Sequence, residues 1–151
     1  MQIFEIAPAG MRPLWLYVPI IVAFLAGLFV IAVSTLGMKT ARFELSNDGL
    51  RLRGDLYGRL IPADQLRGGS ARHLDLDSAG ELRPAIRTLG TGLPGYRAGW
   101  FRLKNGEKAL LYITDPTRVV YIPTRSGYAL LLSVQEPDAF LTALRAVAPA
   151  G

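Results

Sequence analysis

The chain has 151 residues, half of them apolar, with 17 Lys and Arg against 12 Asp and Glu, and it contains no cysteine. That length suits one domain with an appendage. The missing thiols exclude a disulfide scaffold, a thiolate zinc site and a cysteine nucleophile, and the single histidine, His73, excludes a metal site built on two or three imidazoles. The composition is too apolar for disorder, and the charge is spread unevenly, which points to a membrane segment.

The first 13 residues are too few to fold alone; MQIFEIAP alternates, a pattern that suits pairing with a partner strand. From Leu14 to Leu36 there follow 23 residues without a charge. At about 1.5 Å per residue they reach roughly 35 Å, enough to cross a ~30 Å hydrocarbon core with some tilt. Pro19 sits near the start, where a helix tolerates it, and Trp15 and Tyr17 fall where aromatic belts form. Ala32-Val33-Ser34 offers small residues for signal cleavage, but signal cores run about 7–15 residues, so the stretch predicts a single-pass anchor. Arg12 precedes it, whereas Lys39, Arg42, Arg51 and Arg53 follow closely. The positive-inside rule therefore predicts a cytoplasmic C-terminal domain, with the short N-terminus outside.

Residues 38–151 hold the whole net charge of +5 and are numerous enough to bury a core. Arg42–Ser46 alternates, Asn47-Asp48-Gly49 turns, and Leu50–Arg53 alternates back, a strong hairpin signal. Arg59-Leu60-Ile61 reads as a strand that Pro62 ends or places at an edge. His73–Leu76 reads as a further short strand. The stretch ELRPAIRTLGTGLPGYR, 81–97, with three glycines and two prolines, reads as a long ordered loop of the functional or mobile kind. A meander follows: strands at Gly99–Lys104, Lys108–Thr114, Val119–Ile122 and Tyr128–Ser133, joined by turns at Asn105-Gly106, Asp115-Pro116-Thr117 and 124–127. The period then changes. Pro137 and Asp138 open a helix with Phe140, Leu141, Leu144 and Val147 on one face, and Pro149 closes it. The pattern predicts a roll or barrel of about seven antiparallel strands capped by one C-terminal helix.

DLYGR at 55–59, TGLPGYRAGWFRLKNGEKALLYIT at 91–114 and VVYIPTRSGYALLLSVQEPDAFL at 119–141 resemble the bacterial pleckstrin-homology (PH) domain family, whose members are often membrane-anchored. The resemblance runs from Arg42 to Val147. It implies a PH-like fold and self-assembly through edge strands; it implies no activity and no cofactor.

Gly90-Thr91-Gly92-Leu93-Pro94-Gly95 matches G-x-G-x-x-G, but Pro94 removes an amide and Gly99-Trp100-Phe101 continues into a strand instead of a helix, so a dinucleotide site is not expected. In the same loop Arg87, Tyr96, Arg97 and Trp100 bring two guanidiniums and two aromatic rings around approachable backbone, the first place to look for a ligand or partner site. Lys39, Arg42, Arg51 and Arg53 are the candidates for contact with anionic lipid, with Glu44 expected across from Arg51 or Arg53. There is no G-x-S-x-G elbow, His73 stands beside Asp75 and Asp77 without a nucleophile, and the arginines are too dispersed for a nucleic-acid surface. The sequence thus predicts a non-catalytic, membrane-tethered module that binds a protein partner or itself; the alternative is recognition of anionic lipid or a small anion.

Overall fold

The computed structural model describes residues 12–54 and 57–149, with the backbone alone for 12–13 and 34–40. The alternating N-terminal stretch before Arg12 and the Asp55-Leu56 pair lie outside the described residues. The chain divides into a helical unit that ends at Lys39 and a second unit that begins at Thr40.

In the first unit a 3₁₀ turn, Arg12–Leu16, leads into α1, Tyr17–Thr40. Pro19 falls in the first turn of α1, where its missing N–H has no intrahelical partner to lose. Leu14–Val33 has a mean hydropathy of 2.7, and all of its side chains are exposed. Apolar all round, the helix has no face reserved for a protein core, and it is long and apolar enough to cross a membrane.

The second unit is mainly β. Strands β1 (Arg42–Ser46), β2 (Gly49–Arg53) and β3 (Leu60–Pro62) form a three-stranded antiparallel sheet. Strands β4 (Arg72–Leu74), β5 (Pro84–Leu93), β6 (Tyr96–Leu103), β7 (Lys108–Ile113), β8 (Val119–Pro123) and β9 (Ala129–Ser133) form a six-stranded sheet in the order β4-β8-β9-β7-β6-β5. α2, Pro137–Val147, completes the unit.

The expected β roll with a C-terminal helix is therefore present, with two differences. The described residues carry nine strands, because the stretch 81–97, expected as a loop, is strand β5 and the start of β6. Pro94-Gly95 forms a two-residue turn between the paired Leu93 and Tyr96. Proline fixes φ at the first turn position and Gly95, at φ +76°, supplies the second. The other difference is that β9 lies between β7 and β8 and runs parallel to β7. The Ser133 hydroxyl fastens that pair: it accepts from the N–H groups of Thr114 and Asp115, both at 3.1 Å, and donates to the Asp115 carbonyl at 2.8 Å.

Residue alternation gives the six-stranded sheet two apolar faces. One carries Phe101, Leu103, Leu111, Val119 and Leu131, covered by Leu76 and Leu82 of the segment between β4 and β5. The other carries Leu110, Tyr112, Ile122 and Leu132, all buried, and Tyr112 meets Phe43 of β1 edge to face at 6.0 Å. α2 buries Leu141 and Leu144, with Phe140 and Val147 half-buried beside them, as its period requires. It packs against β1, β4 and β8, and Arg145 donates to the Ala71 carbonyl at 3.1 Å.

Candidate functional site

The β5–β6 hairpin holds the four residues that the sequence singles out for a ligand or partner site. Its ladder is irregular. β5 has one extra residue between Pro84 and Ile86 and another between Arg87 and Leu89, opposite a continuous β6. At these bulges Ala85 and Thr88 fall out of register, and Thr88 is held by its hydroxyl, which donates to the Trp100 carbonyl at 3.0 Å. Farther along, Gly90 pairs with Gly99, and a Cβ on Gly99 would lie 2.6 Å from the Gly90 Cα. Only a pair of glycines lets the two backbones cross this closely.

Directly opposed residues of an antiparallel pair share a face. Arg87 is opposite Phe101, and Gly92 is opposite Arg97, which puts both arginines on the Phe101 face. Ile86 is opposite Arg102 and Leu89 opposite Trp100, so these lie on the other face. Each of Ile86 and Leu89 is 61% exposed. The edge strand therefore has a basic face and an apolar one.

On the basic face, Arg87 and Arg97 line an open groove of about 410 Å³ with Pro84, Gly92 and Phe101. A neighbouring groove of about 500 Å³ shares Pro84, Gly92 and Arg97 and adds Arg83, with Asp77 its one acidic residue. The Arg87 guanidinium lies beside Gly92, its Nη1 3.5 Å from where a Cβ would stand, an ordinary van der Waals contact. Arg83, Arg87 and Arg97 are exposed and form no ion pair with a described residue.

Of the four residues proposed from the sequence, Arg87 and Arg97 thus come together, Tyr96 is buried at 4% exposure, and Trp100 is on the opposite face. There its indole is 5.0 Å from the Tyr128 ring, edge to face, with Lys108 Nζ at 4.4 Å and the Arg59 guanidinium at 5.0 Å. These are cation–π contacts that join β6 and β7 to the strand start at β3. Arg83, Ile86 and Leu89 were not legible as site residues. The available signal was Leu-Pro-Gly-Tyr, a two-residue turn between two residues able to pair.

The second proposed set lies on the outer face of the three-stranded sheet. Arg42 pairs with Arg53 and Glu44 with Arg51 in register, and Arg53 Nε is 3.1 Å from Glu44 Oε2. Arg42 and Arg51 are exposed without an ion-pair partner among the described residues, and the Lys39 side chain lies outside them.

His73 Nε2 is 2.9 Å from the Thr117 carbonyl oxygen; since that oxygen only accepts, Nε2 carries the proton and the ring joins β4 to the turn before β8. Tyr121 donates to both Glu107 carboxylate oxygens, at 3.1 and 3.0 Å, with Arg72 over its ring at 5.3 Å. Burial and the Glu107 carboxylate push its phenol up to about 12. Asp115 is held below the usual carboxylate range by the hydroxyl and amide of Thr117, which donate to it at 2.7 and 2.9 Å, with a further contribution from Arg118. Among the described residues no group of His, Cys, Asp or Glu is arranged to hold a metal ion.

The family model for the bacterial PH domain matches residues 41–148. The chain belongs to the bacterial PH domain family. The match begins at the residue before β1 and ends at the residue after α2, so the PH domain takes in both sheets and the C-terminal helix. Neither a curated protein nor a solved structure matches the chain.

Proposed function

We propose that this PH domain is a non-catalytic interaction module held at the cytoplasmic face of a bacterial inner membrane by the Leu14–Val33 span, and that its working surface is the β5 edge. One observation carries the reading: the longest strand of the domain stands at the end of its sheet, with Ile86 and Leu89 each 61% exposed. Long exposed edges with apolar side chains are sites of pairing with another chain, and monomeric proteins usually shorten or cover them. A photo-crosslinking amino acid at Leu89 in native membranes should yield one discrete protein adduct, while the same group at Thr142, exposed on α2, should yield none. Equal, diffuse labelling from both positions would contradict the proposal.

A second reading rests on Arg42 and Arg51, two exposed guanidiniums that follow α1 closely in the chain. Basic residues near a membrane surface attract anionic lipid by about 1 kcal/mol each. Salt-sensitive binding of the 38–151 fragment to anionic vesicles, weakened by Arg42→Ala with Arg51→Ala, would support it; equal binding to neutral vesicles would exclude it.

A further inference from the structure

The two edges of the six-stranded sheet are built differently. β4 has three residues, too few to template another strand, whereas β5 has ten. The bulges at Ala85 and Thr88 break the ladder in the first half of β5, as protected edges do. From Leu89 to Leu93 the register is regular, and β6 is the only strand paired with it among the described residues. Its outward main-chain groups are free to accept an added strand. Gly90 and Gly92 leave that stretch low in side-chain bulk.

A strand laid along β5 points its side chains alternately to the same two faces. On one face they meet Arg87, whose guanidinium lies over Gly92, and Arg97 opposite Gly92, with Arg83 in the adjoining groove. On the other they meet Ile86 and Leu89, beside the Trp100 ring that already carries Lys108 and Arg59. The complementary occupant alternates carboxylates with apolar side chains. A second copy of this chain fits less well, because it would bring another Arg87 and another net charge of +5 to a surface already rich in unpaired guanidiniums.

We propose that the Leu89–Leu93 edge takes an extended acidic segment of a partner protein as an added strand, its carboxylates on the Arg83, Arg87 and Arg97 face and its apolar side chains on the Ile86, Leu89 and Trp100 face. Main-chain hydrogen bonds supply affinity and the two faces supply register and selectivity. The inference rests on the β5 edge being the interaction surface and adds the chemistry of the partner.

The test uses the full chain in a neutral detergent and three fluorescent nine-residue peptides, read by polarisation. One alternates glutamate and valine, one alternates lysine and valine, and one is the glutamate peptide N-methylated along one edge, which removes its strand donors. The glutamate peptide should bind with saturation, the lysine peptide should not, and N-methylation should weaken binding by about tenfold or more. Arg87→Ala with Arg97→Ala should weaken it by a similar factor, while Arg72→Ala, on β4 at the opposite edge of the sheet, should leave it unchanged. Equal binding of the N-methylated peptide would overturn the added strand and leave simple charge attraction. Displacement by inorganic phosphate at equal affinity would assign the arginines to a small anion instead. If no peptide binds while Leu89 still crosslinks to one protein, the acidic-strand inference fails and the interaction surface stands.

Discussion

Arg87 and Leu89 are two positions apart on β5 and lie on opposite faces of the sheet. In a regular strand they would share a face. The bulge at Thr88 separates them, aligning Arg87 with Phe101 and Leu89 with Trp100. One extra residue thus turns a mixed edge into one with a basic side and an apolar side. The Thr88 hydroxyl, bonded to the Trp100 carbonyl, fixes the extra residue in place.

The crossing of Gly90 and Gly99 is the tightest point of that hairpin. Gly99→Ala places a methyl group against the Leu89 carbonyl oxygen and the Gly90 Cα at φ +120°, so main chain has to move. We expect a loss of about 3 kcal/mol, the range of a backbone made strained and overpacked at once. Gly106→Ala, at φ +87° with open space around it, should lose only about 1–2 kcal/mol. Urea unfolding of the two variants measures the difference.

Tyr121 keeps its proton in the folded domain to about pH 12, above the ordinary phenol value of 10.0. Between those values the unfolded chain has lost the proton and the folded chain has not, so stability falls as pH rises across that window. Below pH 10 the contribution is complete. Thermal unfolding from pH 9 to 11.5 should show a steeper decline for the parent chain than for Tyr121→Phe, which has no phenol to titrate.

Ser133 holds the parallel pair of β7 and β9 at one end. Ser133→Ala leaves the Thr114 and Asp115 amides without the hydroxyl acceptor and the Asp115 carbonyl without its donor. The expected loss is roughly 1–3 kcal/mol, the penalty for orphaned polar groups that are partly buried. Hydrogen exchange should show the Thr114 and Asp115 amides losing protection first.

The meander after Gly99 was legible because Trp100–Leu103, interrupted only by Arg102, and the apolar runs Ala109–Ile113, Val119–Ile122 and Ala129–Leu132 are divided by Asn-Gly, Asp-Pro and Ser-Gly turns. The helix was legible from the spacing of Leu141 and Leu144. β5 was not, because its two bulges break alternation and its glycines, which serve a backbone crossing, have the composition of a loop. Taken as a loop, the stretch also groups Trp100 with Arg97; on a continuous β6 they are three residues apart and necessarily face opposite ways. Glu44, expected across from Arg51 or Arg53, meets both, pairing in register with Arg51 and through its carboxylate with Arg53. The parallel placement of β9 left no trace in any local pattern, since strand order is decided by packing between distant segments.

The claim that the domain is tethered at the cytoplasmic face is tested most directly by labelling, which the absence of cysteine makes clean. Ser126, exposed between β8 and β9, accepts the probe position as Ser126→Cys. In intact cells a membrane-impermeant maleimide should leave it unlabelled until lysis, with the chain retained in membranes after alkaline carbonate extraction. Labelling before lysis would put the domain on the outer side of the membrane, and release by carbonate would mean that the Leu14–Val33 helix does not hold it there.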